Sequence, residues 1–305
     1  MRLALARMQK PRVVALEVTT KCNLKCIYCN NTDKELKGSS SDISQSVVQR
    51  LREQSGSFDK IIICGIGESF LYSGLKELIS LFGSKQFCIV TNGTVPIDFS
   101  YIGQEGNIEV IVYSLDSVDN ELLNSICGSF DFDCFGNNIT QHDTYNKNSN
   151  NRILKTLNCT INKYNISDLN SITRYACKNK FDAVHLSLPR GEEDLIYVKS
   201  REIYQSIEFA RSATKGNSTF FVDPYEPCCV YQKWITPYVS KTGDVFLCSE
   251  ALYRGNSVGN IAKTGLEDIW SSTEYSLFQK GLYCEECLFK KNGQVVLEYR
   301  SSYSS

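Results

Sequence analysis

The sequence predicts an α/β protein in which a partial (β/α)6, TIM-like barrel is followed by a small cysteine-rich domain. Over residues 12–215, short apolar runs alternate with segments whose apolar residues recur three or four positions apart. This pattern is typical of a parallel sheet covered by helices. Six such units can be counted, fewer than the eight of a closed barrel, so the sheet is expected to be open or partly closed.

The predicted strands are short apolar runs that end in polar or turn-forming residues. They cover residues 13–18, 60–64, 87–91, 108–113, 153–161 and 183–188. Helices are predicted between them at residues 42–53, 74–82, 117–126, 168–178 and 199–212. The first of these helices is expected to have Ser41 or Asp42 as its cap. The asparagine-rich residues 137–151 are predicted to form a polar helix end and a loop, with His142 at the surface.

The elements divide the chain into three segments. A tail covers residues 1–11, the partial barrel residues 12–215, and the cysteine-rich domain residues 216–305. Near residue 216 the alternation ends, and prolines and cysteines become frequent. A hairpin is predicted in the last segment over residues 239–247, with its turn at Thr242-Gly243-Asp244.

Composition argues against several classes of protein. The net charge of -1 provides no electrostatic footprint for nucleic acid. The sequence also lacks a run of about eighteen apolar residues, which a membrane-spanning helix would need. Because no export signal is recognised, a cytoplasmic location is expected, in which the 14 cysteines are reduced. Only two histidines accompany them. A metal site would therefore be rich in thiolates, which favours iron–sulfur or zinc.

Three cysteines form a CxxxCxxC loop directly after the first predicted strand, at Cys22, Cys26 and Cys29. Parallel sheets bind ligands at this end of their strands. A four-iron cluster normally takes four thiolates, so three leave one iron open, which an amine and a carboxylate can chelate. A structural zinc site is the alternative, and it would need a fourth ligand near the loop.

Two motifs in this chain resemble those of the radical S-adenosylmethionine superfamily. They are the cysteine loop with its aromatic Tyr28 and the segment Gly65-Ile66-Gly67-Glu68-Ser69 after the second strand. The resemblance implies that the cysteines bind a [4Fe-4S] cluster and that Tyr28 lies against the adenine of S-adenosylmethionine. It also implies that Gly65, Gly67 and Glu68 receive the methionine amino group. The segment departs from the usual Gly-Gly-Glu-Pro, because Ile66 replaces a glycine and Ser69 replaces the proline.

The same resemblance assigns roles to polar residues after later strands. Ser114 and Asp116 lie at the end of the fourth strand, and Thr160 and Asn162 lie at the end of the fifth. These positions are implied to contact the ribose and the carboxylate of the bound nucleoside. The alternative for each is a turn-forming polar residue without a ligand.

A second group of cysteines lies at Cys229, Cys248, Cys284 and Cys287. Its pattern resembles the auxiliary-cluster domain called twitch, a shortened SPASM domain. The resemblance implies one auxiliary [4Fe-4S] cluster on Cys229, Cys248, Cys284 and Cys287, although spacing alone suits zinc equally well. Either Cys228 or Cys229 fits the spacing. With Cys229 as ligand, the Cys228 thiol is free to act as a catalytic hydrogen-atom donor. Cys64 and Cys159 are rivals for that role.

The resemblance implies an enzyme that cleaves S-adenosylmethionine reductively and abstracts a substrate hydrogen atom. Its electron donor would be a flavodoxin or a ferredoxin. The expected outcome is oxidation or epimerisation of a small polar substrate such as an aminocyclitol or sugar. A maturase that cross-links or epimerises a ribosomally made peptide is the second hypothesis. A non-enzymatic iron–sulfur or zinc protein is the third.

Overall fold

Ten strands of one sheet organise the part of the chain that the structure describes. The structure is a computed structural model, and it describes residues 10–29, 40–103, 107–187, 200–222, 236–249 and 257–279. The strands are β1 (Val13–Leu16), β2 (Lys60–Ile63), β3 (Gln86–Thr91), β4 (Ile108–Ser114), β5 (Leu154–Thr160), β6 (Ala183–Ser187), β7 (Phe220–Val222), β8 (Tyr238–Val239), β9 (Asp244–Phe246) and β10 (Gly259–Asn260). Their order across the sheet is β10-β9-β8-β1-β2-β3-β4-β5-β6-β7.

Helices connect these strands and cover the sheet. They are α1 (Gln45–Glu53), α2 (Leu75–Leu81), α3 (Phe99–Ile102), α4 (Asn120–Cys127), α5 (Phe132–Asn148), α6 (Leu169–Lys178), α7 (Ser200–Thr214), α8 (Leu266–Trp270) and α9 (Thr273–Gln279). Each neighbouring pair from β1 to β7 is parallel, an arrangement that needs a crossover between strands. In the described residues the edge strands β7 and β10 do not pair with each other. The predicted open α/β sheet is confirmed.

Side chains that alternate along the strands give the sheet two different faces. On one face, apolar residues such as Ile61, Ile111 and Leu157 are fully buried in the core. The opposite face is called the inner face here, and its side chains are partly exposed. It includes Cys64, Cys88, Val90, Val112, Ser114, Asn158 and His185.

Helix α1 begins three residues later than the sequence predicts. Its cap is Ser44, whose hydroxyl accepts a hydrogen bond from the Val47 amide (3.3 Å). The predicted cap at Ser41 or Asp42 is wrong because Asp42 has other partners. Its carboxylate accepts from the Thr19 hydroxyl (2.7 Å) and pairs with Lys21 (2.8 Å). Asp42 therefore ties the approach to α1 to the segment that leads into the cysteine loop.

The asparagine-rich residues 137–151 form the carboxyl-terminal part of α5, a 17-residue helix that ends at Asn148, and the loop that follows it, as predicted. Asn138 on this helix is buried, and its amide donates to the carbonyls of Gly93 (2.8 Å) and Val95 (2.9 Å). Its oxygen accepts from the amide of Ile97 (3.0 Å). These tertiary hydrogen bonds offset the low helix propensity of asparagine.

His142 on α5 is fully buried at 0% exposure, which corrects its predicted surface position. Its ring shares a hydrogen bond with the Tyr113 hydroxyl (3.1 Å) and another with the Ile153 carbonyl (2.9 Å). Burial lowers the pKa of the ring to about 4. The imidazole is thus neutral in the folded protein at physiological pH.

Residues beyond 216 contribute strands to both sides of the parallel sheet. β7 pairs with β6, and β8 pairs with β1. The predicted hairpin is confirmed: β8 and β9 are antiparallel, and Gly243 between them has φ +85°, a conformation that glycine adopts readily. None of the helices in the described segments combines the length and the apolar character that crossing a membrane requires.

Acid should destabilise the protein through His142. Because folding depresses the pKa of this ring, its contribution to stability is complete above the unfolded pKa and is lost as the pH falls toward about 4. From about pH 7 to about pH 5 we expect the wild type to lose about 2 kcal/mol more unfolding free energy than His142→Gln. Urea titrations of both proteins across this range measure the difference. Parallel pH profiles for the two proteins would contradict the assignment.

Candidate active site at the carboxyl edge of the sheet

The carboxyl ends of the parallel strands bring the predicted site residues to one edge of the sheet. The segment at residues 17–29 leaves β1 there and is called the cysteine loop. Residues 65–69 leave β2 at the same edge. Asp116 lies two residues beyond β4, and Thr160 is the last residue of β5. This is the edge at which sheets of this type bind ligands.

Backbone hydrogen bonds dock the cysteine loop on two neighbours. The amides of Lys25 and Ile27 donate to the carbonyls of Cys127 (3.0 Å) and Ile126 (2.9 Å), at the end of α4. On the other side, the Glu68 amide donates to the Lys21 carbonyl (2.7 Å). The loop is therefore anchored to the segments that follow β2 and β4.

The three loop cysteines are partly exposed and are not joined in disulfide bonds. They are close enough for Cys22 to interact electrostatically with Cys26 and Cys29. Burial, together with the Glu68 carboxylate, raises the pKa of the Cys22 thiol to about 11. Metal binding at this loop must therefore displace a proton, since the thiolate is the ligand.

The donor set of the loop fits an iron–sulfur cluster. Three soft thiolates lie on one loop at the carboxyl edge, and thiolates of this kind hold such clusters. The described residues contain no group of three His, Cys, Asp or Glu side chains arranged around a single metal ion. Cys22, Cys26 and Cys29 stay the predicted ligands of that cluster.

Cys127 is a fourth thiol beside the loop that sequence analysis did not single out. It is the last residue of α4, it is buried, and its thiol lies against that of Cys26. The hydrogen bond with Cys26, reinforced by burial, raises the pKa of the Cys127 thiol. This arrangement favours a protonated Cys127 that acts as a hydrogen-bond partner of Cys26.

Two glycines after β2 are required by close packing against the cysteine loop. A Cβ on Gly67 would lie 2.2 Å from the Thr19 carbonyl oxygen and 2.8 Å from the Lys21 carbonyl oxygen. Gly65 has φ +151°, and a Cβ there would lie 2.9 Å from Cγ of Glu17. The glycines therefore let the two segments touch, whatever contacts they make with a ligand.

Glu68 joins the glycine segment to the end of β3. Its carboxylate is 2% exposed and accepts from the Thr91 hydroxyl (2.7 Å), the Asn92 amide (2.7 Å) and the Phe70 amide (3.0 Å). Burial raises the pKa of this carboxyl, and the three donors oppose the shift. The contact of Glu68 with a methionine amino group stays a prediction.

Asp116 brings Tyr28 and Thr160 together. It is 3% exposed, accepts a hydrogen bond from the Tyr28 hydroxyl on Oδ2 and accepts one from the Thr160 amide on Oδ1 (2.7 Å). Burial raises the pKa of its carboxyl to about 6. The carboxylate therefore connects the cysteine loop to the ends of β4 and β5.

Ser114 and Asn162 differ in their surroundings. Ser114 lies on the inner face in register with Asn158 of β5. The Asn162 side chain is buried in a turn, where its oxygen accepts from the Tyr164 amide (3.0 Å) and its nitrogen donates to the Thr160 carbonyl (3.1 Å). This is the turn-forming role that the sequence left open for Asn162.

The cysteines proposed as hydrogen-atom donors have different environments. Cys159 is fully buried, and the side-chain nitrogen of Asn165 lies 3.5 Å from the Cys159 sulfur. Cys64 is partly exposed on the inner face, next to Tyr238 and Phe246. Cys228, the first choice from the sequence, lies outside the described residues.

One predicted auxiliary ligand can be placed. Cys248 is buried just after β9, and α9 packs nearby with its Tyr275 hydroxyl donating to the Phe246 carbonyl (3.1 Å). The Trp270 and Tyr275 rings lie 5.1 Å apart beside this strand. The other three predicted ligands, Cys229, Cys284 and Cys287, lie outside the described residues.

Two family models match the chain in the expected order. Residues 16–141 match the model of the Radical SAM superfamily, and residues 227–288 match that of SPASM, an iron-sulfur cluster-binding domain. A radical SAM domain uses S-adenosylmethionine and a [4Fe-4S] cluster, and a SPASM domain holds auxiliary iron–sulfur clusters. Both resemblances from the sequence are confirmed.

Curated relatives match only the first part of the chain. A probable GTP 3',8-cyclase of Methanocella arvoryzae is 31% identical over 121 residues, 38% of this chain and 39% of that protein. Another, of Methanopyrus kandleri, is 31% identical over 132 residues, 42% of this chain and 41% of that protein. The aligned region spans about two fifths of each relative.

Solved structures share the fold over most of the chain. SuiB of Streptococcus suis bound to S-adenosylmethionine has a TM-score of 0.69 at 15% identity and covers 92% of this chain and 71% of its own. Native anSMEcpe with AdoMet and the Kp18Cys peptide has a TM-score of 0.71 at 16% identity. The alignment covers 92% of this chain and 87% of that protein. BtrN in complex with AdoMet and 2-DOIA has a TM-score of 0.54 at 16% identity, over 89% and 87%.

Gly67→Ala should disrupt the cysteine loop. The new Cβ would clash with backbone atoms that cannot move without shifting residues 19–21, so we expect a loss of about 1–3 kcal/mol in unfolding free energy and reduced iron uptake. Gly56→Ala is the matched control, because nothing lies within 4 Å of its Cβ position. Anaerobic reconstitution, iron analysis and denaturation measure both effects. Equal behaviour of the two variants would refute the packing role.

Tyr28→Phe should weaken the binding of S-adenosylmethionine. The change removes the hydrogen bond to the Asp116 carboxylate that holds the ring in its predicted place against adenine. Bonds to charged groups contribute about 1.5–3 kcal/mol, which binding would then have to supply to order the ring. We expect at least about tenfold weaker binding by anaerobic calorimetry, with iron content retained. Tyr164→Phe is the control, since Tyr164 is 47% exposed on a nearby loop. Unchanged affinity in Tyr28→Phe would reject this role.

Proposed function

We propose that this chain is an enzyme that abstracts a hydrogen atom from its substrate, because it combines a radical SAM domain with a SPASM domain. When bound, the cluster and S-adenosylmethionine supply the 5′-deoxyadenosyl radical that takes this atom. Oxidation or epimerisation of the substrate follows. The observation that carries the proposal is the convergence of the cysteine loop, residues 65–69 and Asp116 at one edge of the sheet.

Within this proposal, the protein's own residues bind and orient. Cys22, Cys26 and Cys29 would hold the cluster, and their loop is fixed by the anchors at Lys21 and Lys25. Tyr28 is held by Asp116, so its ring has a defined position beside the loop. Buried hydrogen bonds of this kind preorganise a site before the ligand arrives.

A peptide segment is the substrate class that the comparisons support best. SuiB has been solved with its precursor peptide SuiA, at a TM-score of 0.64 to this chain. The anSMEcpe structures with the Cp18Cys and Kp18Cys peptides reach 0.68 and 0.71. BtrN with 2-DOIA reaches 0.54. The fold of this chain is therefore nearer to the proteins solved with peptides.

A small polar substrate is the second candidate, and the inner face favours it. Ser114, Asn158 and His185 lie side by side on β4, β5 and β6, because the register pairs Ser114 with Asn158 and Asn158 with His185. All three are partly exposed. A hydroxyl, an amide and an imidazole in one row suit a ligand rich in hydroxyl or amino groups.

The SPASM domain supplies the second part of the proposal. Cys229, Cys248, Cys284 and Cys287 would hold one auxiliary cluster, which could accept the electron left on a substrate radical. The Cys228 or Cys64 thiol could instead return a hydrogen atom, which would give epimerisation. A flavodoxin or ferredoxin is the proposed electron donor.

Cys26→Ala should abolish formation of 5′-deoxyadenosine, whereas Cys287→Ala should spare part of it. The first variant loses a ligand of the proposed catalytic cluster, and the second loses only an auxiliary ligand. Chromatography of anaerobic reactions with dithionite measures the product. Cys177→Ala, on α6 away from the cysteine loop, is the control. Full activity in Cys26→Ala would sink the assignment of the site.

Substrate class can be decided by exchange of deuterium. Each candidate, a short peptide encoded beside the gene or an aminocyclitol or sugar, is supplied in deuterated form, and label is sought in 5′-deoxyadenosine. Transfer from a peptide supports the first class, and transfer from a small polyol supports the second. Iron and sulfide in the protein without any 5′-deoxyadenosine would favour the non-enzymatic alternative, as would zinc in the cysteine loop.

A further inference from the structure

Three side chains form a closed ring of hydrogen bonds between the cysteine loop and the segment after β3. The Asn92 amide nitrogen donates to the Asn23 side-chain oxygen (3.0 Å). The Asn23 amide nitrogen donates to the Thr94 hydroxyl (2.8 Å), and that hydroxyl donates to the Asn92 side-chain oxygen (2.7 Å). Because Asn23 is adjacent to Cys22, the ring connects the end of β3 to the first cysteine.

The orientation of the Asn92 amide is determined by its backbone neighbour. The Thr94 amide N–H also donates to the Asn92 side-chain oxygen (2.8 Å). A backbone N–H can only donate, so the atom that faces it must be the oxygen and the nitrogen must face the cysteine loop. One hydrogen on that nitrogen is used by Asn23. The nitrogen itself lies 3.9 Å from the Cys22 sulfur, within reach of the second hydrogen.

The backbone of Asn92 is fixed as firmly as its side chain. Its amide N–H donates to the buried Glu68 carboxylate (2.7 Å). The Cys22 sulfur also lies 3.5 Å from the Leu24 amide nitrogen, a second N–H donor. Cys22 is therefore approached by two N–H groups, whereas the Cys26 sulfur lies against the Cys127 thiol.

We propose, as an extension of the function proposed above, that Asn92 is a positioning residue that donates an N–H···S hydrogen bond to Cys22 and raises the reduction potential of the cluster. An added electron increases the negative charge on the cysteine sulfurs. A donor at the sulfur therefore stabilises the reduced cluster more than the oxidised one. Asn92 makes the first electron transfer easier by this means.

The test is the midpoint potential of the anaerobically reconstituted protein, followed by electron paramagnetic resonance during a redox titration. Asn92→Ala removes the donor without adding a charge. We expect its reduction equilibrium to shift about tenfold toward the oxidised cluster, equivalent to about 59 mV for one electron. Thr94→Val is the matched control, because it opens the same ring but keeps the Asn92 amide and its backbone partner. It should shift the equilibrium less than about threefold.

Each outcome separates this inference from the proposed function. A wild-type protein with no reducible cluster would overturn both. A normal cluster in the wild type, with an unchanged potential in Asn92→Ala, would overturn only the role of Asn92. If Asn92→Ala loses its iron, Asn92→Leu replaces it, since leucine is close to asparagine in size and adds neither a donor nor a charge. An unchanged potential in that variant has the same meaning. Loss of iron in all three variants would show that the ring is structural and would also overturn the inference.

Discussion

The structure depends on three buried carboxylates at the carboxyl edge of the sheet, each of which joins separate segments. Glu17 follows β1, Glu68 lies in the segment after β2, and Asp116 lies after β4. A buried carboxylate is costly unless hydrogen-bond donors surround it. Each carboxylate therefore requires the segments that carry its donors to be in place. The cysteine loop lies between these carboxylates, so the hydrogen bonds that they require also fix its position.

Glu17 extends this constraint to the part of the chain beyond the parallel strands. Its carboxylate accepts from the Tyr238 hydroxyl (3.0 Å) and from the Lys241 amide (3.2 Å). The Lys241 ammonium in turn donates to the hydroxyls of Ser41 (2.8 Å) and Thr20 (3.2 Å). The hairpin of β8 and β9 thus braces the start of the cysteine loop. The regions that match the two family models therefore contact each other at this edge of the sheet.

The sequence predicted what depends on local pattern and missed what depends on distant partners. Apolar runs and helical spacing identified the parallel sheet, and the CxxxCxxC spacing identified the loop. The burial of Asn138 on α5 could not be predicted from the sequence, because the carbonyls that stabilise it come from residues 93 and 95. His142 was misplaced for the same reason, since its partners are Tyr113 and Ile153.

In the sequence, the turn signal Asn92-Gly93 is the one local indication of the role proposed for Asn92. Its chemistry arises from Asn23 and Glu68, about seventy and twenty-four positions away. Cys127 likewise reaches Cys26 only through the docking of α4. Sequence spacing can identify ligands that share one loop, but it cannot identify the groups that the fold brings against them.

The strands proposed to contact the cofactor also carry the row of Ser114, Asn158 and His185 proposed for a small polar substrate. The Thr160 amide donates a hydrogen bond to Asp116, and Asn158 lies two residues earlier on β5. Ser114 lies two residues before Asp116 at the end of β4. Hydrogen-atom abstraction requires the reacting atoms to be held at close and constant separation. Because both proposed sets of contacts lie on two adjacent hydrogen-bonded strands, the sheet would hold cofactor and substrate at a constant separation.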